Sequence, residues 1–175
     1  MRRIVIGCCL LALVGCAQRA YVRLDPAAAQ VGAVEQVFIG TMRDINPETG
    51  TFGNQRSEVE SFARYDVSVP PDRKPGQIAF PSASQKSDPE RHFLITKAVH
   101  YPSTREFRSD LAGQVRALPR SERDAVIFVH GFNNTFADGL FRIAQLAHDI
   151  ETPGLTMHYS WPSAANPLGY VADRD

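Results

Sequence analysis

Cysteine is scarce in this sequence of 175 residues. Its three cysteines, Cys8, Cys9 and Cys16, all lie within the first sixteen positions, so a fold held together by several disulfides is excluded. Neither charge is in excess, because Lys plus Arg and Asp plus Glu each total 19, and a nucleic-acid partner is therefore not expected. The remaining composition, with 43% hydrophobic and 22% charged residues, is that of a single globular domain.

Long apolar runs are also missing except near the start, where residues 4–14 follow Arg2 and Arg3. As a helix this run would span only about 16 Å, which is too short for a hydrocarbon core of about 30 Å. A basic start, a short apolar run and a small residue before a cysteine are typical of a secretory signal peptide. We therefore predict that residues 1–15 are a signal peptide.

The end of this run, LVGC at residues 13–16, resembles the lipobox of bacterial lipoproteins, in which cleavage precedes the cysteine and its thiol is acylated. The resemblance implies a lipid membrane as partner, held through Cys16; the alternative is ordinary secretion with a free thiol. Ala17 resembles the default sorting of such proteins, which implies the bacterial outer membrane, facing the periplasm. Residues 16–35 lack sustained periodicity and are predicted to be a lipidated tether, followed by the domain over residues 36–175.

Short runs with partial alternation predict three strands in the first part of the domain: residues 36–41, 63–69 and 92–101. Turn signals such as Asn-Pro and Phe-Gly fill the segment between the first two strands. Five prolines exclude a continuous helix or central strand over residues 70–91, where we expect a loop with Ile78 and Phe80 against the body. Ser103 and Glu106 form a capping-box pattern that predicts a helix, which ends at the next proline.

The clearest pattern lies over residues 125–161. The unbroken apolar run at residues 125–129 predicts a strand buried on both faces, and residues 155–161 alternate like a second strand. Between them Asn133-Asn134-Thr135 offers N-cap oxygens to a helix. One face of that helix is apolar: Phe136, Leu140, Ile143, Ala144, Ala147 and Ile150. Strand, helix and strand with short links predict a parallel βαβ unit, and hence an α/β fold.

Ligands in α/β sheets bind outside the carboxyl ends of the strands, here at residues 130–133 and 160–163. The amides of Phe132 and Asn133 precede a helix N-terminus, which favours an oxyanion. The alternative is a tight turn in which His130 bonds backbone. Trp161 either lines a substrate pocket or packs in the core.

The five histidines show no HExxH pattern and pair with no cysteine of the mature chain, so no zinc site and no cofactor are predicted. We expect His148 on the solvated face of its helix and His158 on the polar side of its strand.

Four segments, VFIGTMRD, FARYDVSVPPDRKPG, VIFVHGFNNTFADGLFRIAQLAHDI and HYSWPSAANPLGYVADRD, together resemble a bacterial family of α/β-hydrolase-fold proteins in the esterase/lipase superfamily, many of them lipoproteins. The resemblance covers about residues 35–175 and implies a mixed sheet. It implies an oxyanion loop of His130, Gly131 and Phe132, in which Phe132 supplies a backbone donor and His130 positions the loop without acting as the triad base. Asn133 and Trp161 become candidate pocket residues.

The sequence departs from that family because none of its serines lies in a Gly-x-Ser-x-Gly elbow, and no acid and histidine follow one. We therefore expect a partial α/β-hydrolase fold, truncated before the nucleophile strand. Such a serine carboxylic-ester hydrolase is expected to be inactive alone, and to take an ester substrate only when missing sequence completes it. The alternative is a non-catalytic outer-membrane lipoprotein that binds a ligand or partner at the same turns.

The resemblance also implies that the strand at residues 125–129 lies between the strand at residues 155–161 and the absent nucleophile strand. That order leaves the most apolar strand as an open edge, so we expect the isolated chain to self-associate. Ile127, in this strand, is predicted to pack in the core.

Overall fold

The computed structural model describes residues 19–82 and 84–166. The predictions for residues 1–15, Cys16 and residues 167–175 lie outside this part of the chain. Two α-helices are described, α1 (Thr104–Ala117) and α2 (Phe136–Asp149), and two short 3₁₀ helices, Pro26–Gln30 and Arg120–Glu122. The strands are β1 (Ala33–Ile45), β2 (Phe52–Val69), β3 (Leu94–Tyr101), β4 (Ala125–Val129) and β5 (Leu155–Ser160).

The five strands form one mixed sheet in the order β3-β2-β1-β5-β4. Strands β1, β2 and β3 form an antiparallel meander, whereas β5 pairs in parallel with both β1 and β4. The unit β4–α2–β5 is thus a parallel βαβ unit over residues 125–160, which confirms the predicted α/β class. Because β1, β4 and β5 run in the same direction, their carboxyl ends lie at one edge of the sheet.

Each face of the sheet is covered by one helix. Helix α2 lies on the face of Val37 and Ile39, and buries most of its predicted apolar face there. Ile150 is the exception, because it caps the helix after its last turn and is 69% exposed. Helix α1 covers the opposite face, where Phe107 stacks on Phe62 with 4.7 Å between ring centroids. Among the described residues, no helix is long and apolar enough to cross a bilayer.

The hairpin of β1 and β2 is longer than the sequence patterns indicate. Its turn is confined to residues 46–51, where the Asn46 side chain accepts from the amide of Glu48. Phe52 and Gly53 lie in β2, with Phe52 opposite Ile45, so the turn predicted there is wrong. Cross-strand pairing outweighs the weak local turn signal. The hairpin therefore extends beyond β5, whose pairing with β1 ends at Thr41.

Residues 70–82 and 84–91 form the irregular loop that their prolines predict, and Ile78 and Phe80 pack against the core as expected. Phe80 stacks on Phe141 of α2, with 6.4 Å between ring centroids. The Arg73 guanidinium pairs with the Asp149 carboxylate at the end of α2 and holds the pKa of that carboxyl well below its usual range. The loop is thus fixed to the helix at two places.

Strand β4 is not buried on both faces, so that prediction is wrong. Among the described residues it pairs with β5 alone and forms an edge of the sheet. Ile127 is 62% exposed and Val129 is 56% exposed, because no described residues cover that face of the strand. The prediction that Ile127 packs in the core is therefore also wrong. The β5-β4 order itself is the one that the resemblance implies.

Residues 19–32 pack on the domain, where the sequence predicts a tether. The amide of Ala20 donates to the Asp138 carboxylate of α2, and both Ala20 and Ala28 are buried. Backbone hydrogen bonds join residues 23–25 to Ile95 of β3. Periodicity could not reveal this segment, because its contacts are made by backbone groups and by single side chains that follow no helix or strand repeat.

Candidate functional site

The loop between β4 and α2, residues 130–135, lies at the carboxyl edge of the sheet. Thr135 caps α2 by accepting from the amide of Asp138 at 3.1 Å, and the Asp138 carboxylate accepts from the amide of Thr135 at 2.9 Å. The N-cap thus falls on the last of the three predicted residues. The Asn134 side-chain amide donates to the carbonyl oxygens of Gly131 and Phe132, at 2.9 Å each. These bonds fix the loop immediately before the helix N-terminus.

His130 is buried beneath this loop, with both ring nitrogens next to hydrogen-bonding groups. Its Nδ1 lies 2.8 Å from the carbonyl oxygen of Gly131, and its Nε2 lies 3.0 Å from that of Trp161. Burial lowers the pKa of His130 below its usual 6.5, and the positive charge of Arg43 adds to this effect. The ring is therefore neutral at pH 7, and its single N–H can donate to only one of these two oxygens.

Trp161 closes the other side of His130. The two rings are stacked, with 5.0 Å between their centroids and an interplanar angle of 13°. The indole N–H donates to the backbone oxygen of His130 at 2.8 Å. Trp161 therefore contacts the predicted oxyanion loop directly, although it follows β5 and lies thirty-one residues farther along the chain.

Arg43 of β1 is the main site residue that the sequence analysis missed. It has no exposed surface, and its guanidinium lies 3.2 Å from His130 Nε2. Its N–H groups donate to the Asn134 and Ser163 carbonyl oxygens at 3.0 and 3.3 Å, and to the Ser160 hydroxyl at 2.8 Å. Further bonds reach Gly53 and Asn54 of β2. One side chain thus links β1, β2, the loop after β4 and the segment after β5.

A signal for Arg43 exists in the sequence. Val37, Ile39, Thr41 and Arg43 follow one another at every second position, so all four lie on one face of β1. Strand alternation therefore places a charged residue on the face that carries the core. Because charged side chains are almost never fully buried without partners, such a position indicates a polar network.

His158 lies on the polar side of β5, as predicted, but that side is buried under α2. Thr156, His158 and Ser160 face α2, whereas the apolar residues that alternate with them face α1. The Nδ1 atom lies 3.0 Å from the carbonyl oxygen of Phe128, and Nε2 has no hydrogen-bond partner among the described residues. Burial lowers the pKa of His158 to about 4, so the ring is neutral at pH 7.

Gly139 provides the space for His158. A Cβ atom at position 139 would lie 2.5 Å from His158 Nε2, a distance that carbon side chains do not reach. Helix α2 can therefore approach β5 closely only with glycine at this position. The histidine pair at the site depends on this approach, because the rings of His130 and His158 lie 5.5 Å apart.

Asn133 is bound by Arg19, which lies near the N-terminus of the sequence. Its backbone is left-handed, with φ of 63°, a conformation that asparagine adopts more readily than most residues. The Arg19 guanidinium donates to its backbone oxygen at 2.7 Å and to its side-chain oxygen at 2.5 Å. Arg19 also donates to the Ala165 oxygen at 2.8 Å and pairs with Asp138 at 3.5 Å. Sequence reasoning missed Arg19 because it treated this segment as a tether.

A cavity of about 370 Å³ opens beside the loop. Its apolar wall consists of Ile78, Phe80, Phe128 and Phe141, and its polar wall includes Arg19, His130, Gly131 and Asn134. Two of the three predicted oxyanion-loop residues line this cavity. The predicted pocket residues Asn133 and Trp161 do not, because Asn133 turns toward Arg19 and Trp161 covers His130.

His148 and the metal-binding potential of the described residues can be assessed separately from this loop. His148 lies on the surface of α2, 37% exposed in its side chain, with Nδ1 3.0 Å from a Glu35 carboxylate oxygen. Within residues 19–82 and 84–166, no group of three or more histidine, cysteine or acidic side chains could hold a metal ion.

Comparison with known proteins adds one match. Residues 104–175 match the family described as "Alpha/beta hydrolase of unknown function (DUF900)". Searches of curated proteins and of solved structures found no match. The matched part begins at α1 and contains β4, the loop of His130, helix α2 and β5. Together with the mixed sheet, it supports an α/β-hydrolase family for this chain.

Proposed function

We propose that this chain forms the oxyanion-loop part of a carboxylic-ester hydrolase of the α/β-hydrolase type. The observation that carries the proposal is the loop of residues 130–134, which follows a parallel strand, precedes a capped helix and borders a cavity. Helix N-termini favour negative charge, and developing oxyanions in acyl transfer are stabilised by backbone donors of this kind.

Within this proposal Phe132 supplies a backbone N–H to the oxyanion, and Gly131 leaves the approach open because it has no side chain. His130 is a positioning residue. Its buried ring lies between the oxygens of Gly131 and Trp161, and its lowered pKa keeps it neutral in the physiological range. Both ring nitrogens already contact protein groups, which supports a positioning role over that of a general base.

The proposal assigns no triad residue to this sequence. None of its serines lies in a Gly-x-Ser-x-Gly frame, and Ser160 and Ser163 are buried in hydrogen bonds to Arg43 and Asn133. The nucleophile, acid and base must come from other sequence. A lone oxyanion donor contributes only about 3–4 kcal/mol to a barrier, so we expect no turnover by these 175 residues alone.

The first test uses the 175-residue product with short-chain nitrophenyl esters and with a fluorophosphonate probe. We expect neither turnover above buffer nor labelling, with a known serine esterase labelled in parallel as control. Stoichiometric labelling of one serine would overturn the assignment and identify a nucleophile of another kind.

The second test reads the DNA beyond the codon of Asp175 and uses the gene product that it encodes. A Gly-x-Ser-x-Gly codon series supports the hydrolase proposal. In that product we expect Phe132→Pro, which removes the backbone N–H, to lower kcat by about 10²–10³, while Phe132→Leu keeps it. Equal activity of the two variants would contradict the oxyanion role of Phe132.

We further propose that the protein is a bacterial lipoprotein, acylated at Cys16 after removal of residues 1–15, and held at the outer membrane facing the periplasm. The support is the ordered sequence pattern at residues 1–16. Mass spectrometry of membrane-extracted protein tests it. An unmodified thiol, or unchanged localisation of Cys16→Ser, would contradict the anchor.

The second candidate function is a non-catalytic lipoprotein that binds a ligand or partner at the same loop. The observation in its favour is the missing nucleophile elbow. Unrelated sequence beyond codon 175, combined with no fluorophosphonate labelling, would favour this function over ester hydrolysis.

A further inference from the structure

We propose that the candidate site faces the lipid surface and that its substrate is an ester with an acyl chain, taken from the membrane. This inference rests on the proposed function, both the ester chemistry and the acylated Cys16. It adds the substrate class and the orientation of the domain.

The link between the proposed anchor, Cys16, and the candidate site is short. Only two residues, Ala17 and Gln18, lie between Cys16 and Arg19, and these three residue steps of extended chain span at most about 11 Å. A coil over residues 17–34 would have reached about 24 Å and left the domain free to turn. The docked segment removes that freedom.

Hydrogen bonds hold the N-terminal segment against the candidate site. Arg19 donates to the backbone and side chain of Asn133, in the segment after β4, and to the oxygen of Ala165, in the segment after β5. It therefore contacts two segments that leave the carboxyl edge of the sheet. The next residue, Ala20, is buried and donates its amide to Asp138 at 3.2 Å. The point at which the chain leaves the domain toward Cys16 is therefore the rim of the candidate site itself.

The cavity beside the loop has both polar and apolar lining residues. Arg19 lines it together with loop residues His130 and Gly131, so the anchor link ends at the wall of this cavity. The rest of its lining combines Ile78 and three phenylalanines with the charged side chains of Asp138 and Arg142. An apolar wall that begins beside an oxyanion loop fits the acyl chain of an ester whose carbonyl lies at the loop.

The same edge of the molecule carries exposed apolar side chains. Tyr21 is 54% exposed and Val59 is 70% exposed, and Ile45 at the end of β1 is also exposed. Tyr21 shares a surface cavity with Arg19 and with the hairpin end at Asn46. Tyrosine is enriched at membrane–water interfaces, so this edge is suited to lie on the lipid headgroups.

The test of orientation uses the acylated full-length chain in phosphatidylethanolamine–phosphatidylglycerol vesicles that contain a lipid with a nitroxide on its headgroup. A fluorophore is attached at Ala164→Cys, beside the site, and in a matched variant at Ser121→Cys, before β4 at the opposite end of the sheet. We expect the label at position 164 to be quenched severalfold more than the label at position 121. Equal quenching, or the reverse order, would overturn the proposal.

A second variant inserts about 20 glycine and serine residues after Ala17, which adds a reach of about 25 Å. We expect this insertion to reduce quenching at position 164 to the level at position 121. Unchanged quenching would mean that the short link does not orient the domain, and would overturn the proposal.

Activity measurements on the gene product that contains the nucleophile distinguish the membrane-substrate proposal from the proposed ester-hydrolase function. We expect the insertion to lower turnover of an acyl ester in vesicles severalfold and to leave turnover of a soluble nitrophenyl ester unchanged. An equal effect on both esters contradicts the membrane substrate alone. No hydrolysis of either ester contradicts the proposed function, while the quenching result still decides the orientation.

Discussion

Arg43 combines a full charge with complete burial, and its guanidinium donates to groups on several elements. Lysine in its place would carry the charge as a compact ammonium that cannot reach these acceptors together. We expect Arg43→Lys to lower the free energy of unfolding by about 2–4 kcal/mol, since buried acceptors lose their donors. Urea denaturation followed by circular dichroism measures this change.

Arg56, opposite Arg43 in the hairpin but exposed, provides the matched control. We expect Arg56→Lys to change stability by less than about 0.5 kcal/mol. Similar effects of the two substitutions would mean that the buried network does not stabilise the fold.

His158 makes the stability of the domain dependent on pH. Its pKa is about 4 in the folded chain against 6.5 ordinarily, so between these values the unfolded chain binds the proton and the folded chain does not. Stability from this residue is therefore complete above pH 6.5 and falls as the pH decreases toward 4. The loss at pH 5 relative to pH 7 is about 2 kcal/mol.

The variant His158→Asn retains an amide donor near Nδ1 but cannot titrate. We expect its loss of stability between pH 7 and pH 5 to be smaller than that of the native chain by about 2 kcal/mol. Burial also lowers the pKa of His130 and His100, and their contributions remain in both proteins. An identical pH dependence of the two proteins would contradict the burial of a neutral His158.

At the scale of elements, β4 has one edge that no described strand pairs with, and an exposed apolar face with Ile127 and Val129. Such edges pair with other chains, so we expect the lipid-free chain to self-associate at micromolar concentrations. Because Ile127 is exposed, Ile127→Lys is expected to reduce this association without unfolding the domain. Sedimentation velocity measures both effects.

The control is Ile143→Lys, which places the charge in the buried face of α2 and is expected to unfold the chain. A native chain that remains a monodisperse monomer at tens of micromolar would contradict the association. Continued association of a folded Ile127→Lys variant would show that the contact lies elsewhere.

Elements whose pattern is local were predictable from sequence. Helix α2 shows both its apolar spacing and its capping residues, and β3 and β5 lie within about two residues of their predicted bounds. Strand β4 was predictable as a strand but not as an exposed one, because an apolar run does not reveal its neighbours in the sheet. The long hairpin was missed because its outer part is polar and depends on cross-strand pairing.

At the scale of the whole molecule, the N-terminal segment joins α2, β3 and the start of β1. Removing residues 17–32 would expose the surfaces that Ala20 and Ala28 cover, and would remove the hydrogen bond from Ser68 to the Ala28 oxygen. We expect a chain that begins at Ala33 to be less stable by about 2 kcal/mol or more than one that begins at Ala17. Urea denaturation of the two lipid-free chains measures the difference.

A chain that begins at Arg19 is the control, and we expect it to match the chain that begins at Ala17. If the chain that begins at Ala33 were equally stable, residues 19–32 would contribute nothing to the domain, and the tether interpretation would hold for them.

The candidate site was predictable in part. His130, Gly131 and Trp161 follow strand ends and could be expected together, because parallel strands end at one edge of the sheet. Arg43 and Arg19 are distant in sequence from these residues, and their positions depend on strand order and on a docked segment. The sequence therefore indicates the loop of the site but not the charged residues that hold it.

The central position of β1 has a consequence for the order of folding. Its antiparallel partner β2 follows after a short turn, whereas its parallel partner β5 lies about 120 positions away, as between Thr41 and Ser160. Because closing so long a loop is slow, we expect the antiparallel meander of β1 to β3 to form before β5 pairs with β1. Arg43 obtains its partners on β5 only at that last step. A nascent chain therefore cannot assemble the site until β5 and the segment after it have been synthesised.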